Sequence, residues 1–264
     1  MARIGMKAKR QDQILSALAI KGEMSLQELM TTFNCSEATI RRDLEELEQS
    51  GNVIRRVGGG AMYVKPGSAY EVPFIEKQQV LYAEKLEIAK LAASLVQEGE
   101  VIGLTGGTTT FLISQQLKLR KNITVVTNAV NIAMELSENS DVQVVLTGGV
   151  LRNKSFELCG PLAEQTVNAV NINTMFMGID GFTTAGVSTY SELEANIARM
   201  LMRRADKTIA VFDHTKIGRT SLFTVAHLEE LYGCITDEEP SSALISALKE
   251  AGTSLYVAEK TNNF

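Results

Sequence analysis

The chain has 264 residues, 45% of them apolar and 22% charged, with a formal net charge of −5. This is ordinary composition for a soluble globular protein, long enough for one large domain or a small one plus a medium one. The negative balance argues against a protein coated in nucleic acid, and no apolar run reaches the roughly 18 residues of a membrane-crossing helix.

Residues 1–65 nevertheless hold ten Lys/Arg and eight Asp/Glu, a local net of +2, which leaves room for a small basic reading head. The start, MARIGMKAKRQDQ, is basic but has no apolar signal core. Cys35, Cys159 and Cys234 are odd in number and far apart, which predicts free thiols and a cytoplasmic location. His214 and His227 lack metal-ligand spacing, so no metal and no cofactor are expected.

Three short helices come first. Ile14, Leu15 and Leu18 mark the apolar face of one over 9–20. Ser25-Leu-Gln-Glu28 has the form of a capping box, followed by Leu26, Leu29, Met30 and Phe33 at i, i+3, i+4, i+7. Ser36 can cap a third helix whose inward stripe is Ile40, Leu44 and Leu47 and whose stop is Gly51. NVIRRV then reads as a β segment, and the glycine- and proline-rich stretch over 58–74 as the best linker candidate. The remainder alternates. Strands are predicted over 101–104, 123–126, 142–146, 174–178, 208–212, 233–235 and 254–258, and helices over 82–97, 110–119, 129–138, 190–205 and 241–251. Such alternation implies an α/β domain with a mainly parallel sheet covered on both faces.

Two short helices joined by a tight turn form a helix-turn-helix, whose second helix enters the major groove by its N-terminal end. The candidate DNA contacts are Ser25, Ser36, Glu37, Ala38, Thr39, Arg41 and Arg42. Arg55 and Arg56 lie where the wing of a winged helix would clamp the backbone. The plainer alternative is a three-helix packing unit with Arg41 and Arg42 paired to Asp43, Glu45 and Glu46 on a solvated face. The run CSEATIRRDLEELEQSGNVIRRVGGGAM resembles the DNA-binding signature of the DeoR family of bacterial sugar-metabolism regulators: Ser36, Thr39-Ile40-Arg41-Arg42-Asp43-Leu44, Leu47, Gly51, a wing arginine and Gly59-Gly60-Ala61. Gly58 stands where that family usually carries His. The resemblance implies a winged helix-turn-helix over 1–62, a linker over 63–73 and a sensing domain over 74–264.

Thr105-Gly-Gly-Thr-Thr-Thr110 follows a strand and opens a helix, where free N–H groups and the helix dipole favour an anion. It has neither the Lys of a Walker A loop nor G-x-G-x-x-G spacing, and taken alone is also an ordinary strand-to-helix turn. Other strand ends converge on the same rim, where open α/β sheets bind ligands. Singly, Asn128 also reads as a cap, Gly148-Gly149 as a turn, and Asp213 with Lys216 as a surface ion pair. The body resembles the sugar-phosphate-sensing domain of the same family, related to ribose-5-phosphate isomerase and glucosamine-6-phosphate deaminase. That resemblance implies that Gly107, Thr108, Thr109 and Thr110 hold a phosphate. Thr127, Asn128, Gly148, Gly149, Asp180 and Gly181 would line the sugar, with Cys159 and Gly160 nearby. Glu194 falls where the isomerase has its catalytic carboxylate, and Asp213 and Lys216 match its Asp-x-Ser-Lys run.

An aldose–ketose isomerase needs a base and a cation at the reacting oxygen. Residues 184–188 contain no Lys and a single Gly where the isomerase carries a Lys and a glycine run. The expected protein is therefore a regulator without catalytic residues, and the family resemblance implies that it represses. Its expected partners are operator double-stranded DNA, a phosphorylated sugar that releases it, and further copies of itself as a homodimer or homotetramer. The alternatives are a sugar-phosphate isomerase or deaminase with an accessory head, and a DNA-binding protein whose body only oligomerises.

Overall fold

The computed structural model describes residues 2–21, 23–49, 54–57, 59–63 and 73–259. The chain divides into two compact units, Met1–Tyr70 and Glu71–Phe264.

The first unit runs α1 (Ala2–Lys21), β1 (Glu23–Ser25), α2 (Leu26–Phe33), α3 (Glu37–Gln49), β2 (Ile54–Val57) and β3 (Gly60–Tyr63). The capping box forms: the Ser25 hydroxyl accepts from Glu28 N–H at 3.2 Å, and Glu28 accepts from Ser25 N–H at 2.8 Å. Asn34 ends α2 in the left-handed region at φ 48°. Ile14, Leu18, Leu29, Ile40, Leu44 and Leu47 close the core, as the helical spacing requires. One expectation is corrected. Residues 60–63, within the stretch read as linker, form a strand paired to β1 on one side and β2 on the other. Gly60 serves a close backbone approach, since a Cβ there would lie 2.3 Å from the Met24 carbonyl oxygen. Gly58 and residues 64–72, which include most of the remaining linker, lie outside the described residues.

The second unit starts with α4 (Phe74–Gln78), α5 (Tyr82–Ser94), β4 (Val101–Leu104), α6 (Thr108–Leu117), β5 (Ile123–Thr127), α7 (Val130–Leu136) and β6 (Val142–Leu146). A hairpin of β7 (Val150–Arg152) and β8 (Glu157–Cys159) precedes α8 (Pro161–Asn168) and β9 (Ile172–Gly178). Then come β10 (Gly181–Thr183), β11 (Gly186–Thr189), α9 (Glu192–Arg203), β12 (Ala205–Val211), β13 (Phe223–Ala226), β14 (Gly233–Thr236), α10 (Ser242–Ala251) and β15 (Ser254–Val257).

Seven strands form one sheet in the order β15-β14-β12-β9-β4-β5-β6, with every neighbouring pair parallel. These are the seven strands expected from sequence. Their side chains alternate between two cores. Phe176, Ile209 and Val211 pack with Ile88, Ile113 and Ile132 from α5, α6 and α7. Met175, Met177, Ala210 and Phe212 pack with Val167, Ile197 and Leu244 from α8, α9 and α10. Both faces are covered, which an all-parallel sheet requires. The sequence did not point to the β7–β8 hairpin, to α8, or to the antiparallel sheet β10-β11-β13. β7, β8 and β10 are three residues each, too short to carry a legible period.

From β4 the chain winds outward through β5 and β6, then returns to β9 on the opposite side of β4. The loops leaving β4 and β9 therefore diverge, and this switch point is where a doubly wound sheet opens a crevice for a ligand.

Candidate functional site

In the head, α3 buries Ile40, Leu44 and Leu47 and exposes Glu37, Ala38, Arg41 and Arg42, with Thr39 half-buried. The Ser36 and Thr39 hydroxyls lie 2.9 Å apart at the helix start. The pairing with Asp43 considered from sequence does not form. Asp43 turns inward to Arg10, and Glu46 bonds Lys7, while Arg41 bonds Glu37 at 2.8 Å on the exposed face. Ser25 is occupied as the cap of α2. Arg55 and Arg56 are in β2, opposite Met62 and Ala61 of β3, the position of a wing; their side chains lie outside the described residues.

In the body, Gly107 precedes α6 at φ 133°, where no side chain caps the helix. Thr108, Thr109 and Thr110 form the first turn and are buried. The Thr110 hydroxyl donates to Gly107 C=O at 3.0 Å, so it braces the loop from within. Thr105 ties the loop across the switch point, its hydroxyl accepting from Gly178 N–H at 3.0 Å. Thr127 is likewise internal: its hydroxyl donates to Leu104 C=O and accepts from Ala129 N–H. Asn128 is fully buried, donates from Nδ2 to Glu157 Oε2 at 3.0 Å, and leaves Oδ1 without a hydrogen-bond partner.

Gly148 and Gly149 make the turn from β6 into the hairpin, with φ 72° and 116°. Cys159 is buried at the end of β8, and Gly160 opens α8 at φ 90°. Gly181 packs tightly beneath Arg219 C=O and the Ser188 hydroxyl. These five residues shape the rim through their backbones.

Charged side chains gather on that rim. Asp180 Oδ2 accepts from the Thr189 hydroxyl and Tyr190 N–H, each at 3.1 Å, and Lys77 Nζ stands 3.7 Å from Oδ1. Burial pushes its carboxyl up, but Lys77, Lys216 and the hydrogen bonds outweigh burial and hold it below the usual range. Asp213 is buried and accepts from Thr215; burial again opposes ionisation, and Lys216, Thr215 and Lys85 together hold its carboxyl low. Glu194 has Arg152 Nε at 3.7 Å, and its Oε1 makes no hydrogen bond. Burial, with Asp180 adding to it, outweighs Arg152 and raises its carboxyl. Glu157 is buried at the start of β8, and burial followed by Glu194 raises its carboxyl well above the usual range.

The sequence-derived residues Asp180, Glu194, Asp213 and Lys216 thus share one electrostatic cluster. Lys77, Lys85, Arg152 and Glu157 complete it and were not foreseen. Lys85 had a signal: 85, 88, 89 and 92 fall on one buried helix face, and its Nζ donates to the carbonyls of Lys77 and Val80. Burial brings its ammonium down to about 8. Arg152 and Glu157 had none, because only the hairpin turns them inward. His214 also has carboxylates beside it that its sequence spacing did not reveal: Asp237 Oδ2 is 2.6 Å from Nδ1, and Glu238 is adjacent. No described helix is long and apolar enough to cross a membrane.

A winged helix-turn-helix joined to a parallel α/β unit with a polar site at its switch point defines a ligand-sensing DNA-binding regulator. Residues 10–66 match the DeoR-like helix-turn-helix domain, and residues 81–238 match the DeoR C terminal sensor domain. The chain belongs to the DeoR family of transcriptional regulators. It is 32% identical over 252 residues to the HTH-type transcriptional regulator GolR of Listeria innocua, covering 95% of this chain and 98% of that one. It is 31% identical over 215 residues to the lactose phosphotransferase system repressor of Lactococcus lactis, covering 81% and 84%. Among solved structures, ribose 5-phosphate isomerase A from Methanocaldococcus jannaschii aligns with a TM-score of 0.39 and 18% identity, covering 50% of this chain and 53% of that one. So slight a likeness carries no argument about activity.

Proposed function

We propose that the protein is a repressor of a carbohydrate-utilisation operon that a phosphorylated sugar releases from its operator. The observation that carries this reading is the uncapped start of α6 at the switch point, whose loop packs at Gly106 against Glu157, a member of the charged cluster with Glu194, Lys77 and Arg152. Backbone N–H groups at Gly107 to Thr109 suit the phosphoryl group. Asp180 and Glu194 suit sugar hydroxyls, with Asn128 Oδ1 and Glu194 Oε1 as open acceptors. The repressor of Lactococcus lactis supports the carbohydrate assignment by its name.

The head, residues 1–62, binds the major groove through Glu37, Ala38, Thr39, Arg41 and Arg42, with Ser25 and Ser36 toward phosphates and Arg55 and Arg56 on the wing. A linker over 63–73 connects it to the sensing domain over 74–264. Two heads are needed because one short helix reads few base pairs, so the working unit is a homodimer or homotetramer in the cytoplasm. The effector acts by binding one arrangement of the protein better than the other. The protein is not an enzyme in this reading, since residues 184–188 hold no lysine to serve as the electrophile.

Thermal shift and operator gel shift over a panel of phosphorylated and unphosphorylated sugars test this together. A stabilising phosphosugar that also releases DNA is expected. Turnover of any phosphosugar that Glu194→Gln abolishes would instead make the protein an isomerase or deaminase.

A further inference from the structure

Glu157 is a buried carboxyl that the site described above leaves without a task. It opens β8 and lies directly on the anion loop: a Cβ on Gly106 would sit 2.2 Å from Glu157 Oε1 and 2.3 Å from its Cγ. Gly106 is the residue before Gly107, the N-cap of α6. Its lack of a side chain is what admits the carboxyl to the place where the helix presents its N–H groups. Around Glu157 stand Asn128 from the turn after β5, Glu194 from α9, Lys77 from α4 and Arg152 from β7. Asn128 already donates to Oε2, and Asn128 Oδ1 is buried and unpartnered beside it.

A carboxylate at this point would oppose an incoming phosphoryl dianion at close range in a dry setting. A neutral carboxylic acid would do the reverse. Its O–H is a donor that a phosphoryl oxygen can accept, while its other oxygen keeps the bond from Asn128. We propose that Glu157 is a specificity-determining residue of the effector site, which receives the anion as a neutral acid and so couples anion binding to proton binding. The proposal rests on the reading of the loop at Gly106 to Thr110 as the phosphoryl site. Burial and the neighbouring Glu194 keep the proton on Glu157 above the ordinary carboxylate range, which is the state the role requires. As pH rises through that raised value, Glu157 ionises, and each anion bound must then bring a proton with it. Affinity falls by up to about tenfold per pH unit in that regime.

The test uses the full chain and sulfate, an oxyanion that does not titrate in this range. Titration calorimetry in two buffers of different ionisation heat, at a series of pH values rising from the ordinary carboxylate range, counts protons exchanged per sulfate. Uptake that grows toward one proton is expected in the wild type. Glu157→Gln, which keeps the shape and the hydrogen bonding, should bind sulfate without uptake and with little pH dependence. Proton release, or no uptake by the wild type anywhere in the series, overturns the proposal without any variant being needed. Uptake that survives Glu157→Gln also overturns it and assigns the proton to another group of the rim, Glu194 with its raised carboxyl or Lys85 with its ammonium lowered to about 8. Absence of sulfate binding in both proteins would defeat the phosphoryl-site reading itself, which separates that failure from failure of the proton coupling.

Discussion

Asp43 is 1% exposed and accepts from Arg10 Nε at 2.5 Å and from Arg10 Nη2 at 3.2 Å, with Gln11 Nε2 3.4 Å from Oδ1. The bidentate pair pins α1 to α3. Arg10→Ala strands a buried carboxylate and should destabilise the head by about 3 kcal/mol, read from its urea unfolding. Arg41 and Glu37 are different: both are more than half exposed, so their bond contributes little, and Arg41 can exchange it for DNA. Arg41→Ala with Arg42→Ala should weaken operator binding and reduce the slope of log affinity against log salt by about one for each phosphate left without its arginine. A gel-shift titration at several salt concentrations measures this; an unchanged slope would mean that α3 does not face DNA. Thiol chemistry offers a further check. Cys35 is half-buried, whereas Cys159 and Cys234 are buried, and burial pushes the Cys234 thiol up to about 12. Alkylation of the native protein should label Cys35 first, with Cys234 reacting only on unfolding.

The small sheet β10-β11-β13 is the element on which the polar rim depends. It carries Thr189 at the end of β11, and Thr189 and the following Tyr190 hold Asp180 in place. Gly186 opens β11 at φ 119°, and a Cβ there would lie 2.1 Å from Ala226 C=O of β13. Gly186→Ala therefore meets both backbone strain and a backbone clash. It should cost about 3 kcal/mol or more in thermal unfolding and remove phosphosugar stabilisation as well. An alanine tolerated here would mean that the β11–β13 pairing is looser than the structure has it. At the same scale, the sequence made the apolar strands of the parallel sheet legible, four-residue β4, β14 and β15 included, and left β7, β8, β10 and α8 hidden. The seven parallel strands are apolar runs bounded by turns. The three-residue strands β7 and β8 pair across a reversal over 153–156, and Gly149 packs closely on Cys159 at their open end, a relation no local period encodes.

At the scale of the whole molecule, the rim sets how stability responds to pH. Glu157 and Glu194 have raised carboxyls, so the folded chain keeps protons that the unfolded chain has released above 4.5. Their contribution is present below that value and is lost as pH rises toward the raised folded values. Asp180 and Asp213 have lowered carboxyls, so theirs is present above 3.8 and is lost as pH falls below it. Denaturation curves of the wild type and Glu157→Gln should therefore diverge as pH rises above 4.5, with the wild type falling relative to the variant. The divergence should not exceed about 1.4 kcal/mol per pH unit, the limit for one proton. Parallel curves would mean that Glu157 ionises as an ordinary carboxylate. The proposed effector and operator are linked in the same way: whatever factor either one changes in the affinity for the other must be returned reciprocally.

What the sequence determined by itself is what short-range periodicity and turn chemistry encode. That covers α2 and α3 of the head, the capping box, the exposed face of α3, the seven-strand alternation and the glycine turn at the end of β4. Tertiary structure alone decided which charges meet. Asp43 chose Arg10 over its near neighbours because α1 packs on α3. Thr110 and Thr127 spent their hydroxyls inside the loop because the neighbouring carbonyls lay within reach. Lys77, Lys85, Arg152 and Glu157 became part of the rim because distant turns bring them to the switch point. Electrostatic and hydrogen-bond partners depend on distances across the fold, and those distances are set only when the sheet and its two helical layers close.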